Sequence, residues 1–183
     1  MHKIMAELHQ DHIHLARLLK TLEQQADLLS TDADPDLDLI LDIVDYIQNY
    51  PDLVHHPKED MVYHAFQNIS DDGGEIVKHL LEEHAQLPSI TKDFRNLMEE
   101  VVNGGSIISR AGLQAKIRHF IHVERTHMNT EEFVLFPLIE DKMGMAEWQQ
   151  LEEILPHKID PLFGGNVVES YKSLYRSIEQ QAA

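Results

Sequence analysis

Apolar positions recur along the chain in alternating steps of three and four. From Met5 the stripe runs Met5, Leu8, His12, Leu15, Leu19, Leu22, Ala26 and Leu29, the seam of a helix packed in a bundle. Ser30 to Pro35 reads as a polar turn, after which Leu37, Ile40, Val44 and Ile47 begin a second helix that Pro51 interrupts. Asp71, Asp72, Gly73 and Gly74 mark the next turn. A third helix carries Val77, Leu80, His84, Leu87, Thr91, Phe94, Met98 and Val101, and Asn103, Gly104 and Gly105 close it. Ser106 is the expected N-cap of a fourth, whose stripe is Leu113, Ile117, Phe120, His127, Glu131, Val134 and Leu138.

Four long amphipathic helices joined by short turns predict an all-α, up-and-down four-helix bundle over residues 1–142. Shorter amphipathic segments, Trp148–Leu155 and Val167–Ile178, predict a helical C-terminal extension over 143–183 packed on that bundle. Two irregularities are expected. Ile47 to His55 is eight residues where a seam steps seven, which predicts a one-residue bulge near Pro51. Pro88 has no N–H for the carbonyl of His84 and should kink or loosen the third helix, and Pro57 and Pro137 have the same capacity.

The chain also repeats itself. His12 and His55 are 43 residues apart, as are His84 and His127, and each second histidine is followed four residues later by a glutamate, Glu59 or Glu131. A shift of 72 residues carries one set onto the other and takes Leu8, Asp11, Leu15 and Val62 to Leu80, Glu83, Leu87 and Val134. The two halves read as copies of one helical hairpin, a pseudo-two-fold arrangement.

Composition narrows the chemistry. Against 15 Lys and Arg stand 32 Asp and Glu, a net charge of −17 that disfavours nucleic acid and anionic membrane surfaces as partners. Cysteine is absent, so any metal must sit on nitrogen and oxygen ligands. No apolar run approaches the roughly 20 residues a membrane span needs, and a soluble, cytoplasmic protein is expected. Thirteen histidines in 183 residues are the unusual feature.

Helix residues four apart stack on one face about 6 Å apart, so His55 with Glu59, and His127 with Glu131, can each serve one centre. His12 and His84 add one imidazole from each remaining helix. Burying these six groups unpaired is costly, and a shared cation offsets the cost. Four imidazoles and two carboxylates are too many for one ion. Two ions, each with two imidazoles and both bridged by the carboxylates, use every group and leave room for a small ligand. The donor set suits iron, with manganese or zinc as competitors.

Other candidates receive plainer readings. His14 and His64 should face solvent, while His56, His79 and His122 fall off the ligand face. His2 reads as a tail residue; His9, one turn before His12, reads as a surface residue, with support of the ligand shell as its minority reading; Asp60 and Glu132 point outward, and Tyr63 packs in the core. Asp11 and Glu83 either hydrogen-bond an imidazole across the bundle or are solvated. An extra ligand or proton relay is the minority reading for Glu124.

These residues resemble the hemerythrin-like (HHE cation-binding) four-helix bundles. The marks are Gln10 to His12, His55 to Asp60, Glu82 to His84, and His127 to Pro137, within a resemblance that covers about residues 1–142. It implies a non-haem di-iron centre with His12 and His55 on one iron, His84 and His127 on the other, and Glu59 and Glu131 as bridges. It also implies dealings with O2, NO or iron itself. Oxygen-carrying members take a further histidine four residues after the first on the third helix, and Pro88 stands there. The remaining set is more similar to di-iron proteins of nitrosative stress and iron–sulfur repair, although those often carry a cysteine-bearing N-terminal segment and this chain has no cysteine. Three functions stay open: binding or sensing of O2 or NO, a di-iron redox enzyme or iron donor, and a metal-free interaction bundle.

Overall fold

The computed structural model describes residues 1–105, 107–156 and 158–182. The bundle consists of four rods. The first is α1 (Lys3–Leu28), and the second is α2 (Leu37–Asn49) continued through a π turn (Pro51–His55) into α3 (His56–Gln67). The third is α4 (Gly74–Val102). The fourth is α5 (Arg110–Thr130), a π turn (Glu131–Leu135) and α6 (Phe136–Lys142). Beyond the bundle come α7 (Met145–Ile154), a 3-10 turn (Glu169–Tyr171) and α8 (Lys172–Ala182). Along the bundle α1 packs on α5 and α2 on α4.

Local chemistry starts these helices. Asp36 accepts the Leu39 N–H at 2.9 Å to cap α2, and Ser109 accepts the Gly112 N–H at 3.1 Å to cap α5. The expected cap Ser106 lies outside the described residues. His2 is no free tail: its Nδ1 accepts the Ile4 N–H at 3.3 Å, and its ring stacks on Trp148 with centroids 4.6 Å apart.

Each π turn ends two residues before a proline. His56 N–H bonds the Pro51 carbonyl and Phe136 N–H the Glu131 carbonyl, one residue further back than in an α-helix. A proline at 57 or 137 would press its ring on the carbonyl four residues earlier, and the wider turn makes room for it. The bulge expected near Pro51 is the first of these turns. Pro88, by contrast, sits inside an unbroken α4.

The π turns also set the register of the repeat. Ile40, Val44 and Ile47 correspond to Leu113, Ile117 and Phe120 at 73 residues, not 72. The first π turn adds a residue before His55, so the block that holds the ligand candidates repeats at 72. The second adds a residue after Glu131 and restores 73: Val62 pairs with Leu135, Tyr63 with Phe136 and Phe66 with Ile139, all buried. Val134 and Leu138, expected in the fourth seam, therefore give way to Leu135 and Ile139; Val134 is 41% exposed.

Two apolar clusters form. One holds Leu15 to Leu29 of α1, α2, the lower part of α4, most of α5, and Leu162, Tyr171, Leu174 and Ile178. The other holds Ile4, Met5 and Leu8 with Val62, Phe66, Leu80, Leu135 and Ile139, covered by Trp148 and Leu151 of α7 and by Leu155 just after it. His12 falls between Leu8 of one cluster and Leu15 of the other, so a polar layer separates the two. Asp160 anchors the segment before α8: it accepts the Leu162 and Phe163 N–H groups at 2.8 and 2.9 Å and the Tyr46 hydroxyl at 2.9 Å. The same segment covers His14, whose ring stacks on Phe163 at 4.2 Å, correcting its expected solvent-facing position. Among the described residues no helix is long and apolar enough to cross a membrane.

Tyr46→Phe removes a buried hydrogen bond to a carboxylate and should lower stability by about 2 kcal/mol. Urea unfolding of both proteins reads this directly, with the midpoint moving down at an unchanged slope.

Candidate metal centre

The six residues singled out by spacing converge in the polar layer. His12 comes from α1, His84 from α4 and His127 from α5, while His55 and Glu131 sit in the two π turns and Glu59 in α3. Glu59 and Glu131 are completely buried, and all four histidines are buried with them.

Their donor atoms form two groups. His12 Nε2 lies 3.3 Å from both Glu59 Oε1 and Glu131 Oε2, and His55 Nε2 lies 3.2 Å from Glu59 Oε1. On the other side His84 Nε2 is 3.2 Å from Glu131 Oε1 and 3.6 Å from Glu59 Oε2, and His127 Nε2 is 3.3 Å from Glu131 Oε1. Each carboxylate thus turns one oxygen to each histidine pair. His84 Nε2 and His127 Nε2 stand 3.1 Å apart. These spacings are close to the roughly 3 Å edge between neighbouring ligands of a cation held at about 2.1 Å. Among the described residues His55 Nε2, both oxygens of Glu59 and Oε2 of Glu131 have no hydrogen-bond partner, so the arrangement leaves open valences pointing inward.

Each of the four histidines has its Nδ1 against a carboxylate: His12 at 2.7 Å from Glu132, His55 at 3.1 Å from Asp11, His84 at 2.5 Å from Asp60, and His127 at 2.9 Å from Glu83. An ionised carboxylate only accepts, so Nδ1 carries the proton and Nε2 faces the cluster. Asp11 and Glu83 therefore take the first of their two expected roles. Asp60 and Glu132, expected to point outward, instead reach the histidine of a neighbouring rod, and Glu132 also accepts from His9 Nδ1 at 2.9 Å. The outer set obeys the 72-residue repeat as the inner one does.

Two aromatic rings complete the layer. Tyr63 stacks on His84 with centroids 5.7 Å apart, and its repeat partner Phe136 stacks on His12 at 5.4 Å. Beyond core packing, Tyr63 donates its hydroxyl to Glu131 Oε1 at 2.6 Å. Its position four residues after Glu59, on the ligand face, is the sequence signal for that role.

His56, expected off the face, is 3% exposed and belongs to the layer: one of its nitrogens and donor atoms of Glu59, His84 and His127 all lie within 4.8 Å of one another. His64, His79 and His122 are exposed or half-exposed away from it. Asp52 and Glu124, equivalent in the repeat, are buried, and all four of their oxygens lack a hydrogen-bond partner among the described residues. The sequence signal for Asp52 is its 72-residue relation to Glu124. Beside His55 and Asp11 a cavity of about 250 Å³, also lined by Tyr50, Val54 and Lys58, opens to the surface.

Electrostatics favour positive charge in the layer. Burial opposes a charged imidazole, but the surrounding carboxylates outweigh it, raising His12 and His127 and pushing His55 up to about 9 and His84 to about 10. Burial also favours protonating Glu59 and Glu131, and the imidazoles hold both below the usual carboxylate range. His56 is pushed down to about 4 by burial, and Glu124 up to about 8 by burial and then by the charge of Asp52.

A helical bundle with a buried layer of imidazoles and carboxylates is a cation-binding design. The pattern of the hemerythrin HHE cation-binding domain matches residues 3–139, and the chain belongs to that family. Neither curated proteins nor solved structures give a match.

The raised histidines stabilise the metal-free fold below their unfolded value of about 6.5, and that contribution is lost as pH rises through 9 to 10. Chelator-treated protein should therefore melt at progressively lower temperature from pH 7 to pH 10. Glu124 has the opposite fault, since its carboxyl must ionise against burial near pH 8. Glu124→Gln should consequently raise the melting temperature of metal-free protein at pH 9 and leave it nearly unchanged at pH 4.

Proposed function

We propose that this layer holds two iron ions and that the protein binds or senses O2 or NO there. His12 and His55 serve one ion, His84 and His127 the other, and Glu59 and Glu131 bridge them. The observation that carries the reading is the division of each buried carboxylate between two histidine pairs, with unpartnered atoms facing inward. Imidazole and carboxylate without thiolate suit iron, with manganese or zinc as competing occupants. When bound, such an iron pair supplies reversible electron transfer to a diatomic ligand.

The chain's own groups do the rest. The two apolar clusters above and below the layer keep water from it, and the four outer carboxylates fix each imidazole so that Nε2 stays available. The hydroxyl of Tyr63 holds Glu131 in its bridging orientation. The cavity beside His55 gives a small neutral molecule a short path inward.

A second reading, a di-iron redox enzyme or iron donor under oxidative or nitrosative stress, draws on Glu124, a buried carboxyl beside the layer with no hydrogen-bond partner among the described residues. Steady consumption of peroxide or NO with a reductant selects it.

Metal analysis of protein loaded with ferrous salt should give two irons per chain with an absorption band of a bridged ferric pair after exposure to air. Because binding energy is here folding energy, chelation should lower the melting temperature by about 10 °C, and His55→Ala should lose iron and that stabilisation together. A melting temperature indifferent to chelation contradicts the proposal and leaves the metal-free interaction bundle.

A further inference from the structure

We propose that His56 is a fifth imidazole ligand, on the cation that His84 and His127 hold, and that Asp52 positions it. The inference rests on the reading of the layer as a two-cation site.

Three observations on the structure support it. A ring nitrogen of His56 and donor atoms of Glu59, His84 and His127 all lie within 4.8 Å of one another, near enough for His56 to share the cation proposed for those groups. Its ring lies nearly parallel to that of His84, with centroids 4.7 Å apart and planes 20° apart, and edge-on to His127 at 5.4 Å. Finally, Nδ1 of His56 faces Asp52 Oδ1 at 3.5 Å, the orientation every other histidine of the layer shows toward its own carboxylate. At that distance it makes no hydrogen bond, and both Asp52 oxygens are equally unpartnered. A buried imidazole and a buried carboxylate left this way are explained when Nε2 binds a cation: the ring becomes a stronger Nδ1–H donor, and Asp52 closes on it.

His55 and His56 are consecutive yet serve different partners. His55 lies against His12 (centroids 4.9 Å), and His56 against His84. Bridged cations stand only about 3.5–4 Å apart, so neighbouring residues at the end of a wide turn can reach one each. The other half of the repeat has Met128 in place of His56. The centre is therefore unsymmetrical, three nitrogens on one cation and two on the other.

Cobalt(II) in place of iron makes this countable, because every ligating imidazole then shows a strongly shifted, exchangeable Nδ1–H proton resonance. The wild-type protein with two cobalt ions should show five such resonances. His56→Met, which copies the residue of the other half, should keep two ions and its helical circular dichroism and show four. Asp52→Asn should keep five, and its cobalt should leave to a chelator about tenfold faster. Two bound ions with four resonances in the wild type, or five retained in His56→Met, overturns this inference and leaves the two-cation reading standing. No cobalt bound at all overturns both. Should His56→Met fail to fold, the wild-type count decides alone.

Discussion

Two glutamates that stay ionised side by side in the middle of a protein impose the terms on everything around them. Glu59 and Glu131 have no access to water, and a carboxylate so placed reverts to its neutral form unless positive charge is brought to it. The fold answers with one imidazole from each of four rods, and then with a second ring of acids that keeps those imidazoles oriented. Both apolar clusters end at this layer. The bundle is thus two hydrophobic plugs joined by a polar plate, and the plate is stable only when its charges balance.

Much of this was legible in the chain because helices make spacing into geometry. The three-four stepping gave the rods, and the shared interval of 72 gave the six inner residues, since a helix puts positions four apart on one face. The outer acids were harder for a definite reason. Asp60 and Glu132 each follow a ligand candidate by one residue, which on its own helix turns them about 100° away; their partners are on the next rod, and one helix viewed alone cannot show that. His56 was misplaced by the same projection. Val134 was misassigned because a π turn inserts a residue where no periodicity announces it, and only the proline two residues past the turn hints at it.

The placing of those turns has a wider meaning. Each half needs its His-x-x-x-Glu face aimed at the plate and its flanking apolar residues aimed at the plugs, and no single α-helical phase satisfies both with a proline nearby. One half corrects its phase before the ligand candidates and the other after them. The halves therefore agree where chemistry is concerned and differ in how they reach agreement, while the long α4, with Pro88 in its interior, needs no such correction.

Tyr63 and Phe136 occupy matching places, yet only one carries a hydroxyl. The phenol draws electron density from one oxygen of Glu131, and among the described residues no hydrogen-bond donor does so for Glu59. The two places that the proposed cations would take beside these carboxylates are for that reason unequal in basicity as well as in outline. Were the layer to hold two cations as proposed, the first would favour one place over the other, and the protein carrying a single occupant would be a definite species rather than a statistical average of empty and full.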